Sequence, residues 1–185
     1  MGNKFKNFLK VLGLFSFVAA CVFMFMCNTR SINRKRVFNT VNKNKDYILA
    51  CVEEMYDILD KHHAESLTFR IEDDELYVKS YARGGEERII DVENETIENM
   101  FSLIPRTSVV TIRRGSIEFL GWGGSIYYCG FCYVPGDNIK DASFYDVDGE
   151  WEPQGKGWVW EQSDGDNAFY YERICQYFYL FELVF

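Results

Sequence analysis

The sequence predicts an α+β domain joined to an N-terminal transmembrane helix, and three observations lead to this prediction. Residues 8–27 are almost uniformly apolar, and residues 46–63 repeat apolar side chains at helical spacing. Most of the chain after residue 66 alternates between apolar and polar residues, which is typical of strands. Since no series of strand–helix–strand units occurs, we expect one mostly antiparallel sheet with one long and one short packing helix.

The apolar segment Phe8–Cys27 is long enough to cross a bilayer. Its single charge, Lys10, lies near one end. At about 1.5 Å per residue, a helix of this length spans about 30 Å, the thickness of the hydrocarbon core. We therefore expect an uncleaved membrane anchor in residues 1–27, a basic linker or helix lead-in in residues 28–45, and an acidic, aromatic-rich domain in residues 46–185.

A second interpretation of the same segment is a lipoprotein signal peptide. Met1–Lys10 has the basic character of a signal-peptide n-region, and Val11–Ala20 has the length of its apolar core. The tetrapeptide Val18–Cys21 resembles the lipobox of bacterial lipoproteins, which implies lipidation of Cys21. Cleavage followed by simple secretion is the third interpretation.

The basic residues on both sides of the segment give opposed indications of its orientation. Four of them lie between positions 30 and 36, which by the positive-inside rule places the domain in the cytoplasm. A signal-like segment with a basic N-terminal region, in contrast, exports the chain that follows it. We expect an extracytoplasmic domain at the cell membrane.

Charge divides the chain sharply at residue 46. Residues 1–45 hold nine basic residues and no acidic one. All 28 acidic residues and 11 basic residues follow, so the domain has a formal charge of −17. Such a domain repels phosphate backbones, and we therefore exclude nucleic acid as its ligand. The same charge suits a basic protein partner.

Periodicity and turn residues predict the elements of the domain. Asp46–His63 is predicted to be the long helix, and Asn94–Ile104 the short one, with Asn94 as its N-cap. Ala168–Cys175 suits a helix or a strand, and Lys140–Lys156 is predicted to be mainly a loop. The predicted strands are Leu67–Ile71, Leu76–Ala82, Arg88–Val92, Ser108–Arg113, Ser116–Trp122, Ser125–Val134, a short one near Phe144–Val147, Trp158–Trp160 and Tyr177–Val184.

Cys129 and Cys132 form a C-x-x-C pair, the spacing that lowers a thiol pKa in redox proteins. Here the pair falls within a predicted strand, where residues three apart point to opposite faces. We therefore expect two structural cysteines, and a redox pair is the weaker alternative.

Metal-binding patterns are incomplete in the sequence, and we expect no cofactor. No second C-x-x-C completes a zinc site. His62 and His63 are adjacent and lack the spacing of a metal-binding pair on a helix. Asp146–Glu150 and Asp164–Asn167 resemble fragments of calcium loops without meeting the EF-hand pattern, so we expect ordinary turns there.

Aromatic residues concentrate between Phe119 and Phe185, which contain 19 of the 32 in the chain. Large aromatic side chains are usually core, but a two-sided sheet cannot bury this many. We therefore consider an exposed platform for a sugar or a peptide. Its candidate residues are Trp122, Tyr127, Tyr133, Trp158 and Trp160.

Location and charge predict a binding function rather than a reaction. We expect a membrane-anchored, extracytoplasmic and non-catalytic module that binds cell-envelope glycan or a basic protein. One alternative is an acidic immunity-type or inhibitor protein that neutralises a basic partner. A second alternative is an envelope glycan hydrolase, because a glycosidase uses paired carboxyl groups and the domain is rich in them.

Overall fold

The computed structural model divides into two compact units, residues 1–35 and residues 36–185. Helix α1 runs from Gly2 to Lys61, with non-helical dihedral angles at Asn44 (φ −114°, ψ 15°). Side chains are described from Thr29 onward, except at some positions next to the gaps. The backbone is described for residues 2–82, 85–104, 107–124, 127–141, 149–162 and 168–184.

The predicted anchor lies in the first unit. The backbone of Phe8–Cys27 is helical, but its side chains lie outside the described part of the chain. The transmembrane segment and the lipidation of Cys21 therefore stay predictions. Among the residues that the structure describes, no helix is both long and apolar enough to cross a membrane. Residues 28–45, expected as a linker or helix lead-in, are helical and belong to α1.

The last turns of α1 carry the stripe of apolar residues that the periodicity predicts. Side chains that recur every three or four residues lie on one side of a helix, and here that side is buried. The opposite side carries charged residues such as Glu53 and Asp57, which are exposed. The buried set is Ile48, Cys51, Val52, Met55, Ile58 and Leu59.

The short helix α2, Glu95–Leu103, confirms the second predicted helix. Asn94 is its N-cap, since the side-chain Oδ1 accepts a hydrogen bond from the Ile97 N–H at 3.0 Å. This bond satisfies one of the N–H groups that the first turn leaves without a helical partner. Ile97 and Met100 bury the apolar side of the helix.

The strands form one ten-stranded sheet in the order β3-β2-β1-β4-β5-β6-β10-β9-β8-β7, and the described pairs are antiparallel. The α+β class with one long helix is thereby confirmed. The strands are β1 Ser66–Glu72, β2 Glu75–Tyr81, β3 Glu87–Ile90, β4 Val109–Arg113, β5 Ser116–Gly124, β6 Tyr127–Tyr133, β7 Gly149–Gln154, β8 Gly157–Gln162, β9 Ala168–Cys175 and β10 Phe178–Val184.

Strand β7 differs from the sequence prediction, which placed a loop there. Its apolar signal is weak, and Pro153 is unfavourable in a central strand. The structure places β7 at the edge of the sheet, where a proline is tolerated, and Gly155 (φ 59°) turns the chain back into β8. The strand predicted near Phe144–Val147 lies outside the described residues.

The two faces of the sheet carry separate apolar clusters. We call the side that packs with α1 and α2 the helix face, and the other side the opposite face. Phe119, Phe131 and Phe178 belong to the helix-face cluster. The opposite-face cluster lies mainly on β6 and β8–β10 and comprises Cys132, Val134, Ile139, Trp160, Phe169, Tyr171, Tyr179 and Phe181.

Candidate functional site

A cavity of about 300 Å³ lies between the last turns of α1 and the segment that joins β3 to α2. We call it the acidic cavity. Glu54 and Asp57 line it from α1, and Asp91 and Glu93 line it from the β3–α2 segment. All four carboxylates are exposed. The remaining lining residues are Ile58, Lys61, His62, Val92 and Asn94.

Helical spacing places the α1 residues of the cavity together. Residues three and four apart are neighbours on a helix surface, so positions 54, 57, 58 and 61 form one strip. Ile58 in this strip is buried and joins the core. The strip therefore combines an apolar floor with two carboxylates and the ammonium group of Lys61.

Hydrogen bonds hold the two walls of the cavity together. Asn94 Nδ2 donates to Glu54 Oε2 at 3.2 Å, while Asn94 Oδ1 caps α2. Arg88 Nη2 donates to the carbonyl of His62 at 2.8 Å, which satisfies one of the carbonyls that the end of α1 leaves unpaired. Asn94 thus caps α2 and also links the two walls of the cavity.

The composition of the acidic cavity suits a cationic group. Four carboxylates oppose one lysine and one histidine, and a volume of about 300 Å³ is at the lower end for a ligand pocket. Within the described part of the chain, no group of three or more His, Cys, Asp and Glu side chains could hold a metal ion. The four carboxylates and this volume suit an organic cation such as a lysine or arginine side chain.

The structure separates the C-x-x-C cysteines. Cys129 packs in the helix-face cluster and Cys132 in the opposite-face cluster. Both thiols are buried, and neither forms a disulfide within the described part of the chain. Burial, assisted by the nearby Glu118 charge, raises the pKa of the Cys132 thiol well above its ordinary value. A redox-active cysteine needs the opposite shift, toward the thiolate.

Three of the five aromatic platform candidates have described side chains, and these three lie on two faces of the sheet. Tyr133 packs on the helix face, with its ring 5.5 Å from that of Phe178. Trp158 and Trp160 share the opposite face, as alternation predicts, and Trp160 is buried. The side chains of Trp122 and Tyr127 lie outside the described residues.

Glu118 on β5 is a chemically distinctive residue that the sequence analysis missed. Its side chain is 18% exposed and lies 3.5 Å from Arg113 Nη1. Burial raises the pKa of Glu118 to about 7, although Arg113 opposes the shift. A carboxyl with this pKa exchanges protons near neutral pH. The available signal was a lone charge between Ile117 and Phe119 in a strand.

The acidic cavity was missed as well, although both walls have a signal in the sequence. The helix pattern places Glu54 and Asp57 on one strip of α1, and Asp91 and Glu93 directly precede the predicted N-cap Asn94. The local spacing of apolar and polar residues cannot show that α1 and the β3–α2 segment lie next to each other. Most of the two calcium-loop fragments, at residues 146–148 and 164–167, lies outside the described residues. No protein-family model, curated protein or solved structure matches the chain.

Proposed function

We propose that the protein is a membrane-anchored, non-catalytic binding module whose acidic domain captures a basic protein outside the cytoplasm. The acidic cavity is the observation that carries this proposal. Its four carboxylates lie at the surface of a domain with a formal charge of −17. The apolar, lysine-flanked segment Phe8–Cys27 supports the membrane location.

Charge and shape contribute differently to this binding. The net charge of the domain attracts a basic protein over a distance of about one Debye length, roughly 8 Å at physiological salt, and speeds its encounter. Exposed ion pairs add little affinity each. The cavity supplies the specificity, because a lysine or arginine side chain that enters it meets carboxylates on two walls.

The test uses the full chain in detergent and a panel of basic and acidic proteins of similar size. Asp57→Asn combined with Glu93→Gln should weaken capture of basic proteins about fivefold, which corresponds to about 1 kcal/mol. Glu152→Gln combined with Glu161→Gln changes the net charge equally but lies on β7 and β8, at the far edge of the sheet. This control should change capture less than twofold.

Two results contradict the proposal. One is capture that does not weaken between 50 and 500 mM salt, since electrostatic attraction is screened by salt. The other is an equal loss of capture in the cavity variant and in the control. This result would mean that the net charge of the domain, and not the cavity, attracts basic proteins. An immunity-type function is the same capture with the activity of the partner blocked, and an activity assay of a captured basic enzyme distinguishes the two.

A glycan hydrolase is the second candidate function, and Glu118 is the observation that favours it. A glycosidase needs one carboxyl that stays protonated near neutral pH and a second that is ionised. The pKa of Glu118, about 7, meets the first requirement. Hydrolysis of purified cell-wall glycan that falls at least a hundredfold in Glu118→Gln, as expected for a lost general acid, would support this candidate over the binding module.

A further inference from the structure

Strand β3 leaves one edge of the sheet open beside the acidic cavity. It is the terminal strand in the sheet order, and among the described strands it pairs only with β2. The N–H and C=O groups on the outer side of a terminal strand are a ready template for another strand. The side chains of Glu87, Arg88 and Ile89 along this strand are all exposed.

The ladder register indicates which backbone groups point outward. Ala82 N donates to the carbonyl of Glu86 at 3.0 Å, and the β2–β3 register continues from this pair without a shift. In an antiparallel ladder, hydrogen-bonded and non-bonded pairs alternate. Every second residue counted from Glu86 therefore bonds to β2. The backbone groups of the intervening residues, Glu87 and Ile89, point to the open edge.

An exposed apolar side chain accompanies these backbone groups. Ile89 is 66% exposed, the highest value among the exposed large apolar residues of the described chain. Native edge strands are usually protected by charges, prolines or a covering element. Strand β3 carries two such charged residues, Glu87 and Arg88, and Ile89 next to them offers apolar contact to a strand that pairs with this edge.

The open-edge strand ends where one wall of the acidic cavity begins. Strand β3 ends at Ile90, and the cavity wall begins with the next residue, Asp91, and continues to Asn94. A strand paired with β3 that continues past Ile90 therefore reaches the cavity within one or two residues. Backbone pairing and charge recognition are available to one extended ligand.

We propose that an extended segment of the basic partner adds to β3 as an eleventh strand of the sheet and places a lysine or arginine side chain in the acidic cavity. This inference rests on the proposed function and specifies how the partner is recognised. Main-chain hydrogen bonds give such complexes their affinity, and side-chain pockets give them their specificity. The charge of the cavity selects a basic segment over a second copy of this chain, because the domain itself is strongly acidic.

The test measures fluorescence anisotropy of labelled ten-residue peptides with the full chain in detergent. The probe peptide alternates threonine and valine around a single arginine. The control peptide carries glutamate in place of this arginine. We expect the arginine peptide to bind at least about tenfold more tightly. N-methylation of one alternate set of amides should abolish binding, while N-methylation of the other set should be tolerated, because only one set faces β3.

Substitutions at Ile89 test the same contact from the protein side. Ile89→Pro removes an outward N–H and leaves the bonds to β2 in place, which an edge strand tolerates. It should abolish peptide binding, whereas Ile89→Ala keeps the N–H and should weaken binding only a few-fold. Thermal unfolding checks that both variants are folded. If Ile89→Pro does not fold, the binding of the N-methylated peptides to the wild-type chain tests the pairing with β3.

The outcomes separate this inference from the proposed function. Capture of basic proteins that depends on Asp57 and Glu93 but not on Ile89, with both N-methylated peptide sets bound equally, overturns strand addition and leaves the proposed function intact. Absence of any capture overturns both. Self-association that Ile89→Pro abolishes, without peptide binding, assigns the edge to a second copy of the chain and overturns the basic-peptide proposal.

Discussion

Glu118 on β5 lies directly opposite Cys132 on β6, and its charge adds to burial in raising the pKa of the Cys132 thiol. Both side chains point to the opposite face of the sheet, away from α1 and α2. Two anions in this position would repel each other in a poorly solvated environment. The pair is therefore most stable when both groups carry their protons.

The first prediction concerns stability and pH. Since burial raises the pKa of Glu118 from 4.5 to about 7, the folded state binds this proton more tightly than the unfolded state. The stabilisation is fully present below pH 4.5, declines as the pH rises and is lost above about 7. It amounts to about 3 kcal/mol. Urea unfolding between pH 4.5 and 8 should show wild type losing stability relative to Glu118→Gln; a pH-independent difference would exclude this role.

The second prediction concerns thiol reactivity. Cys175 is partly exposed, whereas Cys51, Cys129 and Cys132 are buried. Brief alkylation of the native protein followed by peptide mass spectrometry should therefore label Cys175 before these three buried cysteines. Mild oxidation should leave Cys129 and Cys132 unlinked, because they lie on opposite faces of β6. Recovery of a Cys129–Cys132 disulfide under native conditions would revive the redox alternative.

The third prediction compares two glycines. A Cβ at position 130 would lie 2.2 Å from the carbonyl oxygen of Phe119 and 2.8 Å from the Phe181 ring, whereas one at position 155 would meet nothing within 4 Å. Gly130→Ala should cost at least about 2 kcal/mol through overpacking. Gly155→Ala should cost about 1 kcal/mol, because only its positive φ is affected. Equal melting temperatures for the two variants would contradict the tight contact.

Local patterns predicted most elements because each depends on its own residues. The periodicity of Asp46–His63 and the N-cap Asn94 are sufficient to define the packing part of α1 and the start of α2. Alternation defines the central strands in the same way. Strand β7 was missed because its stability comes from pairing with β8 at a sheet edge, which its composition does not show.

The candidate site depends on neighbours that are distant in sequence. β6 pairs with β10 rather than with β7, and this pairing helps to enclose the opposite-face cluster to which Cys132 belongs. The sequence shows Glu118 as a polar residue on an alternating strand, and only the assembled sheet reveals its burial. The acidic cavity likewise requires the end of α1 to meet the β3–α2 segment, and the lining residues of these two walls are 29 to 40 positions apart in the chain.

The fourth prediction concerns Asp137, which ties the end of β6 to the β9–β10 hairpin. Its Oδ1 accepts the Tyr177 N–H at 2.7 Å, its Oδ2 pairs with Arg173, and its carbonyl accepts the Tyr179 hydroxyl at 2.7 Å. Asp137 also adopts a left-handed conformation (φ 54°), which aspartate and asparagine tolerate better than most residues.

Two substitutions at Asp137 separate its contributions. Asp137→Ala removes both carboxylate bonds and the left-handed tolerance, so it should lower the free energy of unfolding by about 2–4 kcal/mol. Asp137→Asn keeps an acceptor for the Tyr177 N–H and loses mainly the ion pair with the half-exposed Arg173, so it should cost about 1 kcal/mol. Urea unfolding at pH 7 measures both. An equal loss in the two variants would mean that the ion pair, rather than the backbone bond, holds the hairpin.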